Sequence, residues 1–91
     1  MTPEPSLQWI SGARQRRRTA LAFGRVLRDV RREQGLSQER LAGMGGFDRT
    51  YPSLLERGLR TPTLTVLFRL AEALRVEPGR LVALTLEQLS K

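Results

Sequence analysis

Residues 36–58 read LSQERLAGMGGFDRTYPSLLERG, and this stretch decides the fold. It predicts two short helices joined by a glycine-marked turn. Ser37 is a good N-cap for the first helix, because its hydroxyl can accept a hydrogen bond from the unpaired first-turn amides. Gly45 and Gly46 permit the left-handed backbone that ends a helix sharply, and Asp48 is placed to cap the second helix. Two helices arranged in this way form a helix-turn-helix.

The sequence on either side predicts three further helices and contains no alternating strand pattern. Residues 19–34 carry apolar side chains on one side of a helix. Thr61 and Pro62 have the form of an N-cap and first residue of a fourth helix, and Pro78 similarly opens a fifth that runs to about Leu89. We therefore predict an all-α fold, with five short helices around one core.

The first part of the chain differs in composition from the rest. Residues 1–18 contain two prolines and four arginines, namely Arg14, Arg16, Arg17 and Arg18. This composition predicts a basic flexible N-terminal arm over residues 1–18. It precedes a helix-turn-helix DNA-binding domain, which we predict to span residues 19–91 and to end in a dimerisation helix.

Composition also limits the possible functions. The net charge of the 91 residues is +7, and 15 of the 16 positive residues are arginines, which favours a polyanionic partner. The absence of His and Cys removes the commonest general base and the thiolate metal ligands. No segment approaches the roughly 18 consecutive apolar residues that a membrane span needs. The apolar run at residues 7–10 is too short for a signal peptide. We therefore expect a cytoplasmic protein that is not an enzyme, with no cofactor, no metal site and no membrane partner.

The fifth predicted helix carries more apolar side chains than a small core needs. Leu81 and Leu84 form one short stripe, while Val82, Leu86 and Leu89 form another at spacings of four and three. One stripe can cover the core, and the other is then free to meet a second copy of the chain. Alternatively, both stripes are buried in one wide groove. We favour the dimer.

Several separated motifs resemble the λ-repressor and Cro-type helix-turn-helix family, also called the XRE family. These motifs are Arg28 and Arg31 with Gly35–Gln38, then Leu41–Ala42, Gly46–Phe47, Ser53, Leu55–Gly58, Pro62–Leu64 and Leu70–Leu74. The resemblance covers about residues 20–83 and implies a λ-repressor-like DNA-binding domain. Within the family, the stretch 48–51 followed by Glu56–Gly58 and Arg60 is similar to the controller proteins of restriction-modification systems.

This resemblance implies which residues bind DNA. In the family, the helix corresponding to residues 48–57 enters the major groove, where Arg49 can hydrogen-bond guanine O6 and N7. Ser37 and Gln38 correspond to positions that contact phosphate, although Ser37 is equally suited to pure capping. The full predicted set is Ser37, Gln38, Arg49, Thr50, Tyr51, Ser53, Arg57 and Arg60.

The resemblance also implies one structural ion pair, and the chain departs from the family pattern at one position. Residues at the positions of Arg31 and Glu56 form a partly buried ion pair in the family, so Glu56 is interpreted as structural. Arg57 either caps its helix or contacts phosphate. Pro52 stands where the family usually has Ile or Val. Because Pro52 would crowd the Asp48 carbonyl, the second motif helix either starts one residue later or opens with a tighter turn.

The basic arm resembles arms that enter an adjacent minor groove, where narrow A·T tracts attract arginine. Alternatively, it is a flexible tail that adds only nonspecific affinity. Trp9, which lies in this arm, either packs on the domain or is exposed.

These observations predict a sequence-specific transcriptional regulator that binds a palindromic double-stranded DNA operator as a homodimer. The two half-sites would be about 10 base pairs apart. Similarity to controller proteins implies autoregulation of a restriction-modification-like operon. The sequence fits repression by promoter overlap and activation through RNA polymerase equally well. The alternative is an antitoxin-type protein-interaction module that binds a toxin and has only secondary affinity for DNA.

Overall fold

The computed structural model describes residues 12–91, and this part of the chain contains five α-helices and no strands. The helices are α1 (Ala13–Glu33), α2 (Gln38–Gly45), α3 (Tyr51–Glu56), α4 (Leu64–Leu74) and α5 (Pro78–Leu89). The predicted all-α fold with a central helix-turn-helix is confirmed, and α2 and α3 are its two helices.

Helix α1 is the longest element, and it organises the others. It packs against α5 and against α3, while α2 packs against α3 and α4. All five helices contribute to one core, whose fully enclosed side chains are Leu27, Leu41, Leu55, Leu70, Leu74 and Leu81. Each buried leucine contributes about 1.5–3 kcal/mol relative to an exposed one. The core therefore holds the helix-turn-helix against the long first helix.

The ends of the helices follow local capping chemistry. The Ser37 hydroxyl accepts a hydrogen bond from the Arg40 amide at 3.0 Å, as expected of an N-cap. Gly46 ends α2 with φ at 70°, the left-handed conformation that glycine adopts without steric cost. Helix α5 starts at Pro78 and ends at Leu89, as predicted from its sequence.

The predicted start of the first helix, Thr19, is wrong by six residues. Helix α1 begins at Ala13, so the part of the predicted arm between residues 13 and 18 is helical. Arginine is a good helix former, and no proline or glycine interrupts the chain between residues 13 and 23. The apolar periodicity begins only further along, and it therefore placed the boundary too late. Residues 1–11 of the predicted arm, with Trp9, lie outside the described residues.

The predicted N-cap of α4 is also wrong. Thr63, not Thr61, precedes the helix, because the Thr63 hydroxyl accepts a hydrogen bond from the Val66 amide at 3.1 Å. Pro62 therefore lies in the connection between α3 and α4 instead of in the first helical turn. This connection, residues 57–63, carries the predicted DNA contacts Arg57 and Arg60.

Helices α1 and α3 approach each other closely at Gly24. A Cβ atom at this position would lie 2.4 Å from the Leu55 carbonyl oxygen and 2.7 Å from that of Glu56. Both obstacles are backbone atoms, which cannot rotate away. The position of α3 against α1 therefore depends on the missing side chain of Gly24.

We expect Gly24→Ala to destabilise the fold by about 2 kcal/mol, because the added methyl group pushes α3 away from α1. The matched control is Gly43→Ala in α2, where an added Cβ meets nothing within 4 Å. This control should stabilise the fold by about 0.5–1 kcal/mol, as alanine does in a helix interior. Urea unfolding of both variants measures the difference, and equal stability of the two would contradict the close-approach argument.

Candidate nucleic-acid interface

Helix α3 opens with a tight turn that accommodates Pro52. The Tyr51 amide donates to the Asp48 carbonyl at 3.0 Å, three residues back, and regular helical bonding begins with the Leu54 amide donating to the Thr50 carbonyl at 3.2 Å. Since Tyr51 already satisfies the Asp48 carbonyl, the amide hydrogen that Pro52 lacks is not needed there. The structure has the predicted tighter turn, and α3 also begins later than a helix capped by Asp48 would, at Tyr51.

Asp48 caps this turn. The prediction that Asp48 directly precedes α3 as its N-cap is wrong. Its carboxylate accepts hydrogen bonds from the Thr50 amide at 3.1 Å and from the Thr50 hydroxyl, and Thr50 occupies the N-cap position of the helix. The bonds from the Thr50 hydroxyl and amide lower the pKa of Asp48. The turn therefore holds Arg49 and Thr50, both exposed, at the leading end of α3.

A bidentate ion pair joins α1 to the end of α3. Arg31 Nε lies 2.6 Å from Glu56 Oε2, and Arg31 Nη2 lies 2.9 Å from Glu56 Oε1. Arg31 Nη1 also donates to the Leu36 carbonyl at 2.7 Å, so the guanidinium also reaches the connection between α1 and α2. The hydrogen bond to Glu56 raises the pKa of Arg31, against a smaller opposing effect of burial. Both side chains are almost fully shielded from solvent.

Gln38, a predicted phosphate contact, belongs to the same network. Its amide nitrogen donates to Glu56 Oε1 at 3.0 Å. Because a glutamine amide has two N–H groups, the second remains for an acceptor outside the protein. Ser37 and Gln38 therefore lie together at the start of α2, fixed by a cap on one side and by Glu56 on the other.

The other predicted DNA contacts differ in their exposure. Arg57 and Arg60 are exposed at and beyond the end of α3, whereas Tyr51 and Ser53 are half-buried. Arg57 Nε donates to the Ser53 carbonyl at 3.4 Å, which matches the helix-capping interpretation of Arg57. The Tyr51 ring packs on Phe47, with 5.5 Å between the ring centroids.

Arg69 is a residue of this site that the sequence analysis missed. From α4, its Nη2 atom donates to the Gly45 and Gly46 carbonyls at 2.7 and 2.9 Å. Its guanidinium carbon also lies 4.6 Å from the centroid of the Phe47 ring. These contacts link the turn between α2 and α3 to α4. Nothing in the local pattern around Arg69 indicates them, because its partners are more than 20 residues away along the chain.

Helix α5 leaves the second of its two apolar stripes, that of Val82, Leu86 and Leu89, partly exposed. Leu81 is fully buried in the core, whereas Val82 and Leu86 are 45% and 47% exposed. Together with Leu64, Leu67 and Leu89 they line one surface cleft between α4 and α5, which we call the apolar face. The two stripes of α5 therefore do not share one groove within a single copy of the chain.

Within residues 12–91, none of the helices combines the length and the apolar composition of a membrane span. The same residues contain no group of three or more Asp and Glu side chains able to hold a metal ion.

The helix-turn-helix family model matches residues 27–81, more than half of the chain. The uncharacterised HTH-type transcriptional regulator y4dJ of Sinorhizobium fredii is 48% identical over 56 residues, which are 62% of this chain and 73% of that protein.

Solved structures with the same fold include restriction-modification controller proteins. C.AhdI from Aeromonas hydrophila superimposes with a TM-score of 0.67 at 45% identity, over 68% of this chain and 94% of that chain. The C.Esp1396I tetramer, solved in complex with its natural 35 base-pair operator, superimposes with a TM-score of 0.73 at 29% identity. That match covers 80% of this chain and 96% of that chain. The predicted similarity to controller proteins is confirmed.

We expect Glu56→Ala to destabilise the protein by about 3 kcal/mol, because it leaves the Arg31 guanidinium buried without its counter-charge. The matched control is Glu72→Ala on α4, where the side chain is exposed and the expected effect is within about 0.5 kcal/mol. Thermal unfolding monitored by circular dichroism compares the two variants. Similar unfolding temperatures would mean that the ion pair does not hold α3 in place.

Proposed function

The chain belongs to the λ-repressor/Cro (XRE) type of the helix-turn-helix family, and from this premise we propose how it acts. It is a DNA-binding transcriptional regulator. In our proposal it binds a palindromic operator in double-stranded DNA as a homodimer, and α3 of each copy enters the major groove of one half-site. The observation that carries this proposal is the exposed pair Arg49 and Thr50, held at the leading end of a helix that Glu56 anchors to α1.

Base recognition is assigned to the leading end of α3. Arg49 extends from the turn that Asp48 fixes, and its guanidinium can donate two parallel hydrogen bonds to guanine O6 and N7. Thr50 offers a methyl group to thymine or its oxygen to a base or phosphate. Tyr51 and Ser53, both half-buried, contribute shorter-range contacts to the backbone or to adjacent bases.

Contacts to the DNA backbone are assigned to both ends of the helix-turn-helix. At one end, the first amides of α2 together with Ser37 and Gln38 face a phosphate, as helix N-termini commonly do. At the other end, Arg57 and Arg60 follow α3 and lie exposed. Such contacts set the position of α3 along the groove without reading sequence.

The apolar face supports the dimer. Val82, Leu86 and Leu64 are each between 45% and 66% exposed, which is unfavourable for a face left in water. A two-fold axis through this face would bury it against a second copy of itself, and the symmetric dimer would carry one α3 helix for each half-site. The operator then has the same two-fold symmetry as the protein.

Similarity to the controller proteins supports a further step, in which the chain regulates the operon of a restriction-modification-like system that includes its own gene. The comparisons do not favour the antitoxin alternative. The proposal includes a cytoplasmic location, where the DNA is, and no enzymatic activity.

If Arg49 reads a guanine, Arg49→Ala should relax the preference at one position of each half-site and weaken operator binding by about 1–3 kcal/mol. The experiment selects duplexes from a random DNA pool at moderate salt and sequences the survivors for the wild type and the variant. The matched control is Arg80→Ala, which removes one exposed arginine from α5.

The wild-type selection by itself tests the proposed function. A two-fold symmetric consensus supports a dimeric specific regulator, whereas retention of DNA without any consensus would overturn it. An unchanged consensus after Arg49→Ala, with binding intact, would show that α3 is not the base-reading element in the way proposed.

The dimer predicts a second result. Leu86→Glu places a carboxylate in the apolar face and should give a monomer that retains its helical content, because Leu86 is not part of the core. Ala83→Glu, at an exposed position of the same helix outside that face, is the control and should remain dimeric. Sedimentation velocity measures the oligomeric state, and a dimer in both variants would place the dimer interface elsewhere.

A further inference from the structure

The first two turns of α1 have an unusual distribution of charge. They contain Arg14, Arg16, Arg17 and Arg18, and the first acidic residue of α1 is Asp29. The N-terminal end of a helix carries the positive end of the helix dipole, where arginines are unfavourable and acidic residues are favourable. The first turn contains no acidic residue, and Gly12 at the N-cap supplies no side-chain hydrogen bond. The positive charges are therefore unfavourable at this helix end, and interaction with the helix dipole does not explain them.

The arginines of this segment face two different surfaces. Arg18 turns toward the end of α5, where its Nη2 atom donates to the Leu89 carbonyl at 3.4 Å. Arg16 and Arg17 turn instead toward the connection after α3, and with Arg60 they line one surface groove over residues 58–61. We call this the basic groove. All three of its charged side chains are exposed arginines, and no acidic residue lines it.

The contacts along α1 show where the basic groove lies relative to α3. Arg31 pairs with Glu56, Gly24 abuts the Leu55 and Glu56 carbonyls, and Leu21 abuts Gly58. Moving toward its N-terminus, α1 thus passes along the last turn of α3 and then beyond its end. Arg16 and Arg17 lie beyond that end, beside Arg60. The basic groove therefore continues the proposed DNA-binding surface on the side of the α3–α4 connection.

We propose that Arg16 and Arg17, together with Arg60, bind phosphate groups of the operator backbone next to the half-site that α3 reads. The proposal rests on the proposed function and extends its backbone contact at Arg60 to two residues of α1. Planar guanidinium groups match phosphate oxygens in a bidentate geometry. A polyanion would also offset the unfavourable charge at the start of α1. The basic groove lies past the end of α3, whereas Arg49 and Thr50 lie at its start. We therefore expect these contacts to add affinity and fix position without reading sequence.

The test compares two double variants that remove the same charge. Arg16→Ala with Arg17→Ala empties the basic groove of its α1 arginines, whereas Arg18→Ala with Arg25→Ala removes two arginines from the side of α1 that faces the end of α5. Alanine favours helix, and we expect the first double variant to unfold at no lower temperature than the wild type. Binding to the duplex recovered by selection is measured by fluorescence anisotropy over a series of salt concentrations.

Each phosphate contact contributes about 0.9 to the slope of log affinity against log salt concentration. In the basic-groove variant, the magnitude of this negative slope should therefore decrease by about 1.8 per bound chain, so that binding depends less on salt. In the control, the slope should stay at the wild-type value. The consensus sequence should be unchanged in both. Ethylation interference should identify phosphates that the wild type and the control contact and the basic-groove variant does not.

Equal slopes for all three proteins would overturn the proposal, since no phosphate contact would then depend on Arg16 and Arg17. An equal decrease in both double variants would also overturn it, since the arginines would then act only through the overall charge. Failure of the proposed function is a different result, because it appears in the wild type as the absence of a symmetric consensus. An altered consensus in the basic-groove variant would also overturn the proposal, as it would make these arginines base-reading residues.

Discussion

The salt bridge between Arg31 and Glu56 fixes the geometry on which the proposed DNA-binding surface depends. Its two hydrogen bonds of 2.6 and 2.9 Å, with those from Gln38 to Glu56 and from Arg31 to the Leu36 carbonyl, connect α1 to both helices of the helix-turn-helix. A buried ion pair contributes little net stability, because desolvation offsets the attraction. Its value here is geometric, since a planar guanidinium and a carboxylate satisfy each other in only a few arrangements.

Two other contacts complete this frame, and each acts at a different point of the helix-turn-helix. Gly24 lets the backbone of α1 approach the end of α3 more closely than any side chain would allow. Arg69 bonds the turn to α4 through the Gly45 and Gly46 carbonyls. With the end of α3 held by α1 and the preceding turn held by α4, the residues between them are presented on a rigid support, which lowers the entropic cost of binding.

Helix ends that are determined by neighbouring residues were predicted from local signals in the sequence. The Ser37 cap, the Gly46 turn and the Pro78 start depend on neighbouring residues, so their predictions are confirmed. The start of α1 was predicted too late because residues 13–18, one alanine, one glutamine and four arginines, extend the helix without any apolar periodicity. Thr61 and Thr63 are equally good caps by residue type, and only the bond to the Val66 amide distinguishes them. Gly24 and Arg69 depend on partners distant in sequence, which no local pattern encodes.

Pro52 has a consequence for recognition that follows from the way its turn is closed. Because the Tyr51 amide donates a hydrogen bond to the Asp48 carbonyl, the chain before α3 bends tightly. The Asp48 carboxylate then lies within hydrogen-bonding distance of Thr50. The Thr50 hydroxyl then donates its hydrogen to Asp48. What Thr50 can offer to DNA in the proposed complex is its methyl group and the lone pairs of its oxygen, which suit a thymine methyl or a base amino group. Donation to guanine at this end of α3 is thereby left to Arg49, whose guanidinium makes no hydrogen bond within the described residues.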